Sequence, residues 1–152
     1  MIIREANKFD LPQVMNLLTD FQKGVELDLN SYGKLDLEYM NKVFHHLVLG
    51  GGVTIVAEHG DKLVGMIWAI KNPNFFFPNK TILNEILIYV VPTHRKSSAC
   101  YKMLLKYKQI AENLIKDEKI INYTVSKTEQ MDKIKFEKLG YYKSEEIYKG
   151  VA

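Results

Sequence analysis

The sequence is poor in several kinds of residue. It holds one cysteine, Cys100, four prolines and nine glycines in 152 residues, which excludes a disulfide scaffold and a collagen-like or low-complexity chain. A single cysteine forms no internal disulfide, so a reducing compartment is favoured. The longest apolar run, residues 86–92, is too short to cross a bilayer, and no run of signal-peptide length begins the chain. We expect a cytoplasmic protein that does not enter a membrane.

What is present fits one globular domain. Apolar residues make up 47% of the chain and charged residues 26%, which are ordinary values for a soluble fold and exclude a disordered chain. A chain of this length can bury roughly 70% of its unfolded surface around one core. We therefore expect a single domain over residues 1–152.

The charge is unevenly distributed. The net charge is +3, but residues 92–152 hold 13 basic and 8 acidic side chains, an excess of +5. Such an excess fits a nucleic acid, a phosphorylated ligand or lysine-rich helix faces in water, and charge alone does not choose among them. Because the sequence shows no RNP or zinc-finger signature, a nucleic-acid-binding module is the least favoured of the three.

Hydrophobic periodicity and turn residues predict the element order β-α-α-β-β-β-α-β-α-β. The predicted elements are strand 1–5, a helix capped by Asp10 and ended by Gly24, helix 37–48 with a stop at 50–52, a hairpin over 53–70 that turns at 59–62, strand 82–92, helix 100–114, strand 119–126, helix 127–139 and strand 141–149. This order predicts an α+β or mixed α/β architecture.

The most informative segment runs from strand 82–92 into the next helix. A buried strand ends at Pro92, polar or small residues follow, and a helix begins among residues 97–99. The free N–H groups at the start of a helix bind anions, and here Arg95 and Lys96 stand beside them. The segment therefore predicts a phosphate site.

At these residues the sequence resembles the GNAT superfamily of acyl-CoA-dependent acyltransferases. The core motif of that family, V-x-P-x-x-R/Q-x-x-G-x-G/A, is matched in register by Val90, Pro92 and Arg95. AEHGDKLVGMI is similar to the second and third strands of the family, FEKLGYY to its Y-x-K-x-G-F segment, and the R-K-S-S-A turn to phage-encoded members. The resemblance covers most of residues 1–149. It implies the GNAT fold, a mixed, mostly antiparallel central sheet flanked by helices.

The resemblance implies acetyl-CoA as the acyl donor. The residues that would bind it are Val90, Val91, Arg95, Lys96, Ser97, Ser98, Ala99, Cys100 and Phe136. Three of them depart from the family pattern. Ser98 and Cys100 stand where the family has glycine, or glycine or alanine, and glycine gives the backbone freedom near the pyrophosphate. Phe136 replaces the tyrosine that commonly acts as general acid.

The acyl transfer would need a base. A lysine-like amine has a pKa of about 10.4, so it must lose a proton before it attacks. Glu85 is the best-placed carboxylate, because it lies early in the strand that ends at the phosphate site. Strict alternation puts Glu85 on one face with Leu87 and Tyr89, and a bulge would change the face that it serves. A solvent-exposed carboxylate is the alternative interpretation.

The carbonyl and the leaving thiol need partners as well. The resemblance implies that a backbone N–H near Val90 or Val91 polarises the thioester carbonyl. Tyr123 and Tyr142 are candidates for the vacant acid role, with Tyr141 beside them, and structural packing is the alternative for each. Cys100 is interpreted as a packing residue.

The sequence thus predicts an N-acetyltransferase whose acceptor, the amine of a small molecule or a protein, attacks directly without an acyl-enzyme. The alternative is a catalytically inactive CoA-binding or structural module of the same fold, which the three departures favour. The neighbouring His45 and His46 lack partners at ligand spacing, so we expect no metal. Three consecutive phenylalanines at 75–77 and a shortened C-terminal sheet edge favour a homodimer.

Overall fold

The computed structural model describes residues 1–24 and 32–150. The strands are β1 (Ile2–Glu5), β2 (Gly52–His59), β3 (Lys62–Pro73), β4 (Thr81–Val90) and β5 (Asn122–Thr124), and the helices are α1 (Leu11–Gly24), α2 (Leu37–His46) and α3 (Ala99–Lys116). Their order, β1-α1-α2-β2-β3-β4-α3-β5, matches the first eight predicted elements. No helix within the two described stretches is long and apolar enough to cross a membrane.

The five strands form one sheet in sequence order. The strands from β1 to β4 pair antiparallel with their neighbours, and β5 runs parallel to β4. The helices α1 and α2 supply the apolar cluster on one face of the sheet, and α3 supplies the cluster on the other. The predicted α+β class, with a mixed, mostly antiparallel sheet flanked by helices, is confirmed.

Local capping explains where α1 begins. A 3-10 turn, Lys8–Asp10, precedes the helix. Asn7 Oδ1 accepts the Phe9 N–H at 2.9 Å, and Asp10 Oδ2 accepts the Asn7 N–H at 2.8 Å. This reciprocal pair is a capping box. The apolar face that the helix then buries consists of Val14, Leu17 and Leu18. The helix ends at Gly24, as predicted.

The second helix ends in a wide turn. Leu47–Gly51 continues α2 as a π-helical turn in which Gly50 has a φ of 109°. This left-handed backbone favours glycine, because a side chain there would clash with the chain. The helix stop predicted at residues 50–52 is therefore correct, and β2 begins directly at Gly52.

The strands β2 and β3 form the predicted hairpin. The two residues between them are Gly60 and Asp61, and Gly60 has a φ of 67°, a value typical of tight hairpin turns. The next connection carries the phenylalanines at 75–77, whose side chains are 89%, 80% and 63% exposed. The expectation that this run reaches the surface is confirmed, and the homodimer that it suggested stays a prediction.

The last part of the chain differs from the predicted order. Strand 119–126 is reduced to the three residues of β5, and helix 127–139 is instead two 3-10 turns, Glu129–Met131 and Phe136–Leu139. The described residues 141–149 form no strand. Tyr141 packs against the core, but residues 142–149 are exposed, Ile147 and Tyr148 by 84% and 86%, and a strand without a buried face is not stable in water.

A charge network joins β1, β2 and the start of α1. Arg4 donates from both Nη atoms to the two carboxylate oxygens of Asp10, each at 2.8 Å, and from Nε to Glu58 at 2.9 Å. Asp10 is buried. The hydrogen bonds from Arg4 hold the pKa of Asp10 below its ordinary value, against the opposing effect of burial. Because bidentate pairs of this kind are strong and directional, the network fixes the start of α1 against the sheet.

The Asp10→Asn variant keeps the shape of the side chain and removes its charge. We expect the free energy of unfolding at neutral pH to fall by about 2 kcal/mol, less than for a fully buried pair because Arg4 is partly solvated. The folded-state pKa lies below the unfolded value of about 3.9, so the stabilisation is complete above that value and is lost as the pH falls through the folded pKa. Urea titrations of the two proteins should therefore differ at neutral pH and converge in acid.

Asp61→Asn, in the exposed hairpin turn, is the matched control and should leave the unfolding midpoint nearly unchanged. If Asp10→Asn were as stable as the wild type at neutral pH, the Arg4 network would not be what holds α1 in place.

Candidate active site

The strand β4 has different partners along its two edges. Its pairing with β3 runs over its whole length, from Thr81 to Val90. Its pairing with β5 covers only Ile82, Leu83 and Asn84. Beyond Asn84 the two strands separate, and β4 continues for six residues without β5 beside it. The two strands therefore form a fork, and the edge of β4 beyond it is not paired with β5.

A bulge lies at the fork. Trp68 of β3 pairs with Leu87 and Ala69 pairs with Glu85, so Ile86 is an extra residue in β4. Directly opposed residues of two strands share a face. Ala69 belongs to the cluster on the α3 side and Trp68 to the cluster on the α1 and α2 side. Glu85 therefore lies on the α3 side.

This geometry corrects one expectation. The sequence left two alternatives for Glu85: strict alternation, which places it on the face of Leu87 and Tyr89 and is wrong, and a bulge, which is what the structure has. The bulge inserts one residue and so reverses the alternation between Glu85 and Leu87. Glu85 is instead directed to the face of the sheet on which α3 packs.

The Glu85 carboxylate bridges the two diverging chains. Its Oε2 accepts the backbone N–H of Ser126 at 2.8 Å. Burial raises the pKa of Glu85 above its ordinary value, and the hydrogen bonds from Ser126 oppose that effect. One residue before Glu85, Asn84 Oδ1 accepts the Thr124 hydroxyl at 3.0 Å. The strand-end carboxylate is thus half-buried at the fork, not free in solvent.

The open edge of β4 presents backbone groups that β5 does not pair. In an antiparallel pair, the N–H groups of alternate residues point to the same neighbour. Val91 donates its N–H to the Val64 carbonyl at 2.9 Å, so the N–H groups of Val91, Tyr89 and Leu87 face β3. Those of Val90 and Ile88 face the other way, where β5 is absent. Of the two valines expected to polarise a carbonyl, Val90 is the one whose N–H faces the open edge, and it lies at the end of that edge remote from Glu85.

Hydrogen bonds of Ser97 connect the turn after β4 to the start of α3. Ser97 donates its N–H and its hydroxyl to the His94 carbonyl, at 3.0 and 2.6 Å. The Ser97 Oγ accepts the Ala99 N–H at 3.2 Å. Ser98 is the N-cap of α3 but forms no side-chain cap. The remaining first-turn N–H groups of this 18-residue helix are therefore available to an anion.

The two basic residues of the turn are placed differently. Arg95 donates from Nε to the Val90 carbonyl at 3.1 Å, and its guanidinium carbon lies 6.0 Å from the centre of the Tyr89 ring. Its side chain thus lies back along the strand end. Lys96 is exposed. Both cations lie within the turn, and only the Arg95 side chain is anchored to β4.

The tyrosines proposed for acid chemistry separate into two groups. Tyr123 lies in β5 with its ring between those of Tyr107 and Tyr141, at 5.8 and 5.7 Å between centroids. Tyr142 is 85% exposed, and the structure does not bring it to the fork. Phe136 is buried against Tyr141, at 5.7 Å between centroids.

The hydroxyl of Tyr141 is buried and has no hydrogen-bond partner at normal distance among the residues described. Burial raises the pKa of Tyr141 above its ordinary value, and Tyr123 adds to the effect. Burial also raises the pKa of the half-buried Cys100 thiol. A raised pKa disfavours the thiolate, which is the nucleophilic form, so the interpretation of Cys100 as a packing residue fits its surroundings.

Two residues of the site were not identified from the sequence. Tyr107 of α3 is buried and donates its hydroxyl to the Thr124 carbonyl at 2.9 Å, which fixes β5 at the fork. Ser126 supplies the N–H to Glu85 from its backbone. Tyr107 belongs to the apolar stripe of its helix, and its hydroxyl was the one signal that it does more than pack. A backbone donor leaves no signal in the sequence.

The arrangement fits a long, thin ligand. Five residues of extended strand, about 16 Å, separate Glu85 at the fork from Val90, where the turn into α3 begins. A ligand that reached both ends would meet the first-turn N–H groups of α3 at one end and the Glu85 carboxylate at the other. Between them it can bond to the open backbone edge of β4.

Comparison with known proteins assigns the fold. The model of the acetyltransferase (GNAT) family matches residues 12–141, and no curated protein matches the chain. A possible acetyltransferase from Clostridium difficile 630 is 25% identical, with a TM-score of 0.63 and 99% of this chain and 97% of that chain covered. An acetyltransferase from Trypanosoma brucei is 17% identical, with a TM-score of 0.68 and 99% of each chain covered.

A predicted acetyltransferase from Clostridium acetobutylicum, solved with acetyl-CoA, is 14% identical. Its TM-score is 0.67, and 99% of this chain and 95% of that chain are covered. The GNAT fold expected from the sequence is therefore confirmed.

Glu85 should titrate at a higher pH than an ordinary glutamate. Carbon-13 NMR of its carboxyl carbon should give a pKa above about 4.3, because burial disfavours the charged form. The folded state then binds the proton more tightly than the unfolded state, so the free energy of unfolding falls as the pH rises from the ordinary to the raised pKa. Glu85→Gln lacks that loss and should be at least as stable as the wild type at neutral pH. A pKa at or below the ordinary value would contradict the burial of this carboxylate.

Proposed function

Because the chain belongs to the GNAT acetyltransferase family, we propose that it is an acyl-CoA-dependent N-acyltransferase that acetylates the amine of a small molecule or a protein. The observation that carries this proposal is the open edge of β4, which runs from the fork at Glu85 to the turn that begins α3. Acetyl-CoA matches that edge because its phosphates and its thioester lie at opposite ends. It would supply the activated acyl group.

The phosphates would be held at the turn. The first-turn N–H groups of α3, the ammonium of Lys96 and the guanidinium of Arg95 offer donors and positive charge there. Ser98 occupies a position where the family has glycine, and its hydroxyl adds a donor. The neighbour from Clostridium acetobutylicum, solved with acetyl-CoA, supports the choice of ligand.

Glu85 would act as the general base. An acceptor amine is almost fully protonated at neutral pH and must give up a proton before it attacks. Oε2 of Glu85 is bonded to Ser126, so Oε1 is the atom that would take the proton. A raised pKa brings this carboxylate closer to the working pH, which makes it a better base.

The backbone of β4 would polarise the acyl carbonyl. The N–H groups of Val90 and Ile88 point to the open edge, whereas the N–H of Val91 is bonded to β3. Val90 lies at the phosphate end of that edge, so the N–H of Ile88, which is nearer to Glu85, would reach the acyl carbonyl. A fixed backbone donor at the place where negative charge develops stabilises the transition state without reorganisation. The raised pKa of Cys100 supports direct attack by the amine over an acyl-cysteine.

A general acid is not essential to this proposal. Phe136 cannot donate a proton and is buried. A thiol has a pKa of about 8.5, so it leaves as a fairly stable thiolate. Tyr123 stays a candidate for the acid, while the exposure of Tyr142 argues against a role for that residue.

A second candidate function is a CoA-binding module without turnover. Its support is that Ser98, Cys100 and Phe136 all depart from the family pattern, and that the buried ring of Phe136 lies where the family commonly has a hydroxyl. Thermal unfolding with and without acetyl-CoA, followed by measurement of free thiol release over a panel of amines, separates the two. Stabilisation with turnover supports the enzyme, stabilisation without turnover supports the module, and no stabilisation contradicts both.

Glu85→Gln tests the base. We expect kcat/KM for the amine to fall by about a hundredfold, because a positioned base typically contributes at least that much. The dissociation constant of acetyl-CoA should stay within about twofold, since the glutamine can still accept the Ser126 N–H. Glu145→Gln, on the exposed C-terminal segment, is the control and should keep full activity. An unchanged kcat/KM in Glu85→Gln would remove this residue from the mechanism.

The double variant Arg95→Ala, Lys96→Ala tests the phosphate site. Loss of two cations should weaken acetyl-CoA binding by at least about tenfold, measured by calorimetry at low salt. The control is Lys116→Ala, Lys119→Ala, which removes the same charge at the opposite end of α3. Equal affinities of the two double variants would place the phosphates elsewhere.

A further inference from the structure

Two histidines connect the β2–β3 hairpin to the turn after β4. His59 is the last residue of β2, and His94 ends the 3-10 turn Pro92–His94. His59 Nδ1 lies 2.9 Å from His94 Nε2. The two rings meet edge to face, with centroids 5.1 Å apart and planes at 79°. The residues are 35 positions apart in the chain, so the contact depends on the fold.

Several hydrogen bonds of the turn between β4 and α3 are formed by the backbone of His94. Its carbonyl accepts both the N–H and the hydroxyl of Ser97, and Ser97 in turn accepts the N–H of Ala99 at the start of α3. The His94 N–H donates to the Val91 carbonyl at 2.9 Å. A change in the position of His94 must therefore move the first N–H groups of α3.

The hairpin that carries His59 is held against α1. Gln13 of α1 accepts the Leu63 N–H at 2.8 Å and donates to the Asp61 carbonyl at 3.1 Å. These two bonds hold the hairpin turn against α1. His59, at the end of that hairpin, is thus a partner that α1 holds in place for the turn that carries His94.

We propose that His59 is a positioning residue for the acyl-CoA phosphate site, acting through its hydrogen bond to His94. This inference rests on the proposed function, because it concerns the same site. His59 does not touch the ligand. It holds His94, which holds Ser97, so that the first turn of α3 is ordered before the phosphates arrive. A site ordered in advance binds more tightly because less conformational entropy is lost on binding.

The bond sets a condition on protonation. A hydrogen bond between two imidazole nitrogens needs one donor and one acceptor, so it survives while one of these nitrogens lacks a proton and breaks when both carry one.

The variants that test the proposal are His59→Ala, which removes the bond, and His59→Asn, whose amide can replace the Nδ1 atom. Acetyl-CoA binding is measured by calorimetry in buffers with EDTA, so that no metal bridges the rings. At about pH 8 we expect His59→Ala to bind three- to tenfold more weakly and His59→Asn to bind within twofold of the wild type. The value of kcat at saturating acetyl-CoA should not change.

A second measurement needs no ligand. Nitrogen-15 NMR of the wild type should show a hydrogen-bonded Nε2 in His94, and His59→Ala should shift that signal and the Ser97 amide signal. His46→Ala, on α2, should shift neither. If His59→Ala binds acetyl-CoA as tightly as the wild type, or leaves the Ser97 amide unmoved, the inference is wrong and the proposed function stands. If the wild type itself does not bind acetyl-CoA, both are wrong.

Discussion

The unequal pairing of β4 is the constraint on which the candidate site depends. One edge of the strand is bonded to β3 throughout, which keeps it in the core, and the other edge is bonded to β5 for three residues only. A strand that is buried in the sheet and yet has free backbone groups is costly unless a ligand or water satisfies them. The fork therefore leaves backbone groups of β4 to be satisfied by a ligand or by water. Glu85 lies where the two chains part, and its bond to Ser126 bridges the opening.

A bulge and several polar contacts hold the elements around the fork in place. The bulge at Ile86 lets β4 keep its pairing with β3 on both sides of the extra residue, so the sheet does not lose the strand. Tyr107 ties the end of β5 to α3 through the Thr124 carbonyl. On the far side, Arg4 and Asp10 fix the start of α1. The helices on both faces are thus held by polar contacts at the sheet margins, and apolar side chains fill the space between.

Much of this architecture could be predicted from the sequence, and the failures have physical causes. The hairpin, the three helices and the turn after Pro92 were predicted because each rests on local periodicity or on turn residues. The bulge could not be predicted, since Ile86 is as apolar as its neighbours and only the register with β3 reveals it. The C-terminal helix and strand were predicted from local pattern, but their formation needs partners that the described chain does not offer. The bond between His59 and His94 depends on tertiary structure alone.

The strands of the sheet differ in how well their backbone amides are protected from exchange with solvent. β2 and β3 contribute side chains to both clusters, so their backbone amides lie between two layers and are bonded on both edges. Such amides exchange with solvent only when the whole domain unfolds, whereas short, single-sided elements exchange through local opening. β5 is three residues long, bonded to one strand and followed by irregular chain. β5, which borders the fork, is therefore the element that can open locally while β2 and β3 stay folded.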